Sequence, residues 1–209
     1  GLRGDSVRFA ARHRLMLELT TLVAALYAAT FIICGETLLP AVFGNNYQGL
    51  GPVCGWLAAM WAVRMVQAVP GMALLAHGIT QPFLGAGLVR ATGLAGAFCA
   101  AVAGAGLEGV AVAGLAAEIG SLLYMSRQAE RAAAGTGKDC VRTACLLMPA
   151  AVLSTASTGL MPSLLGNVAI LLAWSGAVLP LGVLALPELR SLACSAWRVH
   201  APEHRANTA

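Results

Sequence analysis

The chain has 209 residues, 58% of them hydrophobic and 11% charged, and a formal net charge of +4. Soluble domains are roughly 45 to 50% apolar and about 25% charged, so this chain has too few polar side chains to cover a water-facing surface. Its thirteen basic residues are scattered between hydrophobic blocks, with no basic run interleaved with aromatics, which argues against a nucleic-acid partner.

The chain opens at Gly1 rather than at an initiator Met and shows no signal-like segment, so it is expected to be part of a longer protein. Residues 1–14 form a basic leader carrying Arg3, Arg8, Arg12 and Arg14. A first apolar block runs from Leu15 to Leu39, with Glu18 and Glu36 near its two ends, where both are expected to meet water. Pro40 and the polar stretch from Gly44 to Gln48 make a turn. A second block, Gly51 to Leu75, contains Arg64, Gln67 and Pro70, and His77 to Pro82 is a short connection.

Phe83 to Ala103 is the third block and holds Arg90. The stretch Gly104 to Gly109 turns the chain into a fourth block ending near Met125, with Glu118 inside it. It formally matches G-x-G-x-x-G, but that fingerprint needs a preceding strand, and here it joins two apolar blocks. Residues 126–143 read as a polar loop, followed by blocks from Ala144 to Leu165 and from Val168 to Leu186, and by a polar tail from Glu188.

Each block is long enough to cross a hydrocarbon core about 30 Å thick as a helix. None has the two-residue alternation of a barrel strand, so the expected fold is an all-α, polytopic membrane helix bundle of about six transmembrane helices. Four span residues 15–125 and two close the chain over 144–187, with residues 188–209 as the tail. The basic residues fall four in the leader, four in the loop and three in the tail, with none in the alternate turns. The positive-inside rule then places both ends and that loop in the cytoplasm, which an even number of spans requires.

Gly93, Ala97 and Ala101 recur every four residues along the third block, a spacing that lets helices approach closely in lipid. Pro70, Pro149, Pro162 and Pro180 sit inside blocks and are expected to bend them. Of six cysteines, only Cys34 and Cys54 are placed to reach the outer surface together, and most are read as small apolar residues. Cys140 and Cys145 lack His partners at ligand spacing, so no zinc site is expected.

An ionisable group at the centre of a membrane helix costs at least about 2.5 to 3.5 kcal/mol, so each needs a partner or a wet cavity. Arg64, Arg90 and Glu118 are in this position, at depths from which all three reach one cavity facing the cytoplasm. Guanidinium forks match phosphate oxygens, so Arg64 and Arg90 are candidate contacts for an anionic headgroup such as a diphosphate. The competing reading is a fixed ion pair with Glu118, with Arg90 snorkelling to the interface. Gln67, one turn from Arg64, is expected to extend the same polar face, and Trp61 lies one turn the other way. Ser154, Ser157 and Thr158 form a hydroxyl patch, read mainly as bonding back to helix carbonyls. All four histidines lie outside the blocks and no Asp lies within one, so neither a Ser/His pair nor a metal-dependent transferase can be assembled; no enzymatic activity, metal or cofactor is expected.

The order of features from Ile33 to Met125 resembles the polysaccharide transporters of the multidrug/oligosaccharidyl-lipid/polysaccharide exporter superfamily. The likeness rests on the Phe-Gly-x-x-Tyr turn at Phe43 to Tyr47, the Leu-Leu-Ala-x-Gly element at Leu74 to Gly78, and the Gly-x-x-Gly turn at Gly106 to Gly109 before a small-residue helix. It covers roughly residues 15 to 187 and implies the C-terminal part of a two-lobe transporter in a cell inner membrane. It also implies alternating access that flips a lipid-linked oligosaccharide, a polyprenyl-diphosphate glycan, with membrane lipids, a glycan polymerase and glycosyltransferases as partners. No P-loop is present, so the energy is expected from an ion gradient or the membrane potential. The alternatives are a drug or small-molecule exporter of the same superfamily and a non-transporting membrane scaffold subunit.

Overall fold

The computed structural model describes residues 2–132, 166–173, 175–176 and 190–191. The fifth block, most of the sixth, the second half of the 126–143 loop and nearly all of the tail lie outside the described residues. So do Pro149, Pro162, Pro180, Cys140, Cys145 and the Ser154, Ser157 and Thr158 patch.

The described residues contain no strand. Four long helices, α1 (Leu2–Phe43), α2 (Gly51–Ala76), α3 (Gln81–Val102) and α4 (Gly106–Ala132), follow one another, with a short 3-10 turn over Asn45–Tyr47. All four are long and apolar enough to cross a membrane, and the protein is membrane-embedded.

The connections are built from termination signals. At the end of α2, the Gly78 N–H donates to the Leu75 carbonyl and the Ile79 N–H to that of Leu74, with Gly78 at φ 71°. At the end of α3, Gly104 donates to Ala101 and Ala105 to Ala100, with Gly104 at φ 74°. Both are Schellman closures, whose left-handed residue carries no Cβ penalty when it is glycine. Pro52 and Pro82 stand in the first turns of α2 and α3, where a missing N–H costs nothing. The Leu-Leu-Ala-x-Gly element and the turn at Gly104 thus have a local physical cause in helix capping.

The spans differ from the sequence reading at their ends. Residues 2–14 of the basic leader are helical and continuous with the first span, so α1 has 42 residues and is about 63 Å long, roughly twice a hydrocarbon core. Helix α1 also runs through Pro40, placing the turn at Gly44. Residues 126–132, read as the start of a loop, are helical, because α4 continues through them as an amphipathic helix. Its inward stripe, Leu122, Met125, Ser126 and Ala129, is buried at helical spacing, and Met125 and Ala129 pack with Leu74 and Ala86.

Helix α2 lies between α1 and α4, and α4 lies between α2 and α3. Ala24, Ala28 and Leu17 of α1 meet Ala62, Val66 and Val69 of α2 and Leu122 of α4 in the main core. Glu18 shares that buried stripe at 5% exposure and does not sit in water as its position near the end of the block suggested. Glu36 is exposed, and its carboxylate accepts from the N–H groups of Gly49 and Gly51 at 2.9 Å each, holding the start of α2 against α1. Cys34 and Cys54 are free thiols.

The α3–α4 seam is made of small residues. A Cβ on Gly93 would lie 2.5 Å from the Ala117 Cβ, and one on Gly96 would lie 3.5 Å from the Ala113 Cβ. On α4, Gly109 meets Ala100, and Gly120 meets Val89. Gly93 therefore serves the close approach expected of it, whereas Ala97 is half-buried on a cleft and Ala101 is exposed; Gly96 and Ala100 make the other approaches to α4. The helical segment 166–173 packs Ile170 and Leu171 against Ala29, Ile33 and Cys34, and the Asn167 amide donates to the Thr37 hydroxyl at 3.4 Å. Asn167 is thus placed near the Phe43 end of α1.

Candidate functional site

Consecutive in sequence, α2 and α3 scarcely touch; they stand as two walls of a groove whose floor is α4. Arg64 lies thirteen residues into α2, Arg90 twelve residues before the end of α3 and Glu118 twelve residues into α4. At 1.5 Å per residue all three sit about 18 to 20 Å from the same end of the bundle. Their common depth follows from the near-equal lengths of the helices and the tight turns between them.

The structure brings together all four residues singled out in the sequence. The Arg90 Nε donates to Glu118 Oε2 at 2.9 Å, and its Nη2 donates to Gln67 Oε1 at 2.6 Å. Gln67 Nε2 donates to the Ser121 hydroxyl at 2.7 Å, and that hydroxyl lies 3.4 Å from the Ala86 carbonyl as a donor. Arg64 approaches the other carboxylate oxygen, Nη1 to Oε1, at 3.9 Å, and its guanidinium lies over the Trp61 ring, 5.0 Å from the centroid.

The three charged side chains are not equivalent. Glu118 is 7% exposed, Arg90 33% and Arg64 43%. Arg90 is fixed by two short charge-assisted bonds and therefore does not snorkel away to an interface. Arg64 is held by a long ion pair and a cation–π contact, both weak at such exposure. Two guanidiniums face one carboxylate, so the cluster carries an excess positive charge at mid-depth.

Gln67 lines the same cleft as Arg64, while its side chain, 4% exposed, takes its hydrogen bond from Arg90. Ser121, fully buried, was not singled out, although its position three residues after Glu118 on one helix face was the available signal.

Apolar clefts flank the cluster on both sides. One, about 410 Å³, runs toward the Gly51 end of α2 between Leu57, Met60, Leu94 and Leu107. The other, about 360 Å³, runs toward the Ala76 end between Met72, Leu75, Phe83 and Met125. Arg64 and Arg90 line both. Among the described residues no group of three His, Cys, Asp or Glu side chains is placed to hold a metal ion. The groove can offer guanidinium N–H donors to an anion while its apolar ends accept hydrocarbon.

No protein-family model, curated protein or solved structure matches this chain.

Proposed function

We propose that this chain is the C-terminal part of a membrane transporter that flips a lipid-linked oligosaccharide, a polyprenyl-diphosphate glycan, for polysaccharide export by alternating access. The observation that carries this reading is the pair of guanidiniums that reach from opposite walls of an apolar groove and outnumber their carboxylate. A diphosphate crossing about 30 Å of hydrocarbon needs cationic donors part-way, and its lipid tail needs an apolar surface alongside. The groove supplies both. A cationic drug would instead ask for a free buried carboxylate, and Glu118 is already engaged by Arg90.

The bundle has six spans, with both ends of the chain and the basic loop on the cytoplasmic side of an inner membrane. The bond from Asn167 to Thr37 supports this arrangement, because two closing spans after α4 must return the chain to the Phe43 end of α1 between them.

The scaffold alternative draws on the bonds that join α2, α3 and α4 through Gln67, Arg90, Glu118 and Ser121. Arg64, which contributes least to that network, separates the two readings. Arg64→Ala in the full-length protein lowers glycan export while membrane abundance stays normal. Unchanged export at normal abundance would remove Arg64 as a substrate contact and favour the scaffold.

A further inference from the structure

Among the described residues Glu118 is the sole acidic side chain lining either cleft, and it sits where an incoming phosphate would have to bind. Its oxygens face Arg90 Nε at 2.9 Å and Arg64 Nη1 at 3.9 Å, from opposite walls. Carboxylate and phosphate oxygens suit the same guanidinium fork, so the two anions compete for the same donors. We propose that Glu118 is an internal anion that occupies the cationic site between substrates, so that a phosphate group displaces it. The proposal rests on the reading of the groove as an anion site and adds its regulation.

The geometry gives the exchange an order. Arg64, the looser partner, is the first guanidinium to accept a phosphate oxygen. Arg90 keeps its place when the carboxylate leaves, because Gln67 holds Nη2 at 2.6 Å and is itself held by Ser121. Charged groups facing Glu118 are Arg64 from α2 and Arg90 from α3; Gln67 and Ser121 are neutral. Among the described residues no other charged side chain lines the clefts.

The test measures binding of farnesyl diphosphate and of inorganic diphosphate to the full chain in nanodiscs, wild type against Glu118→Gln. The amide still accepts from Arg90 but carries no charge, so the variant is expected to bind farnesyl diphosphate about tenfold more tightly at neutral pH. Tighter binding of the farnesyl compound than of inorganic diphosphate assigns the site to a lipid headgroup, and equal binding assigns it to free phosphates.

Equal affinity of the two proteins would overturn the internal-anion role and leave the anion site standing. Weaker binding by a folded variant would make Glu118 a support for the arginines and would also overturn it. Absence of binding by both would overturn the anion site itself. Should Glu118→Gln fail to fold, Glu118→Asn takes its place. It must likewise bind farnesyl diphosphate more tightly than the wild type, and equal or weaker binding would overturn the proposal.

Discussion

Gly93→Ala places one methyl group in the α3–α4 seam, at the point where the helices approach most closely around the charged cluster. The new Cβ would stand 2.5 Å from the Ala117 Cβ and 3.7 Å from the Ala113 carbonyl oxygen. Carbon atoms rest about 3.5 to 4.0 Å apart, so the two backbones must separate by about 1 Å. Overpacking of this kind costs about 1 to 3 kcal/mol, against about 0.5 to 1 kcal/mol gained by replacing glycine with alanine in a helix. Gly93 is also one turn from Arg90, and Ala117 is next to Glu118, so the same separation stretches a 2.9 Å bond. The expected net loss is about 1 to 2 kcal/mol. Gly87→Ala is the control, because a Cβ there meets nothing within 4 Å on the same helix. Reversible unfolding of both variants in mixed micelles should show Gly87→Ala as stable as the wild type or more so, and Gly93→Ala clearly less. Equal stability of the two variants would refute the seam.

Three further outcomes follow from the site and the capping contacts. Arg90→Ala strands Glu118 and Gln67 at once and should cost about 2 to 3 kcal/mol in the same unfolding assay, whereas Arg64→Ala should cost at most about 1 kcal/mol, since its pair is long and half exposed. Gln67→Leu removes the acceptor for Arg90 and the donor to Ser121 inside the core, an expected loss of about 1 to 3 kcal/mol that should also lower ligand affinity by freeing Arg90. Glu36→Ala removes the acceptor shared by the Gly49 and Gly51 amides, so hydrogen exchange there should speed up, with about 1 kcal/mol lost from the start of α2.

The four described spans were legible because a membrane helix announces itself by the length of its apolar block, and the reversals by glycine at Gly44, Gly78 and Gly104. The gathering of Arg64, Gln67, Arg90 and Glu118 was legible for a related reason: burying charge in lipid is costly enough that such groups must find one another. The partners were not. Hydropathy places Arg64 and Arg90 at a depth but leaves open the rotation of each helix, which decides that Gln67 serves Arg90 rather than Arg64. Rotation also decides that Gly96 and Ala100 join Gly93 in the seam while Ala101 is exposed, and that Glu18 turns inward with Leu17. The helical state of the leader and of Ser126 to Ala132 escaped notice because hydropathy detects the part of a helix that lies in lipid. Propensity and a narrow buried stripe extend it beyond.

The account depends on Arg64 and Arg90 meeting a diphosphate in mid-membrane. The most direct measurement is translocation of a fluorescent polyprenyl-diphosphate sugar across vesicles containing the full-length protein, read by its accessibility to an external quencher. Wild-type protein should move the lipid, and Arg64→Ala, inserted at equal density, should move it at least about tenfold more slowly. An unchanged rate in the variant would contradict the account.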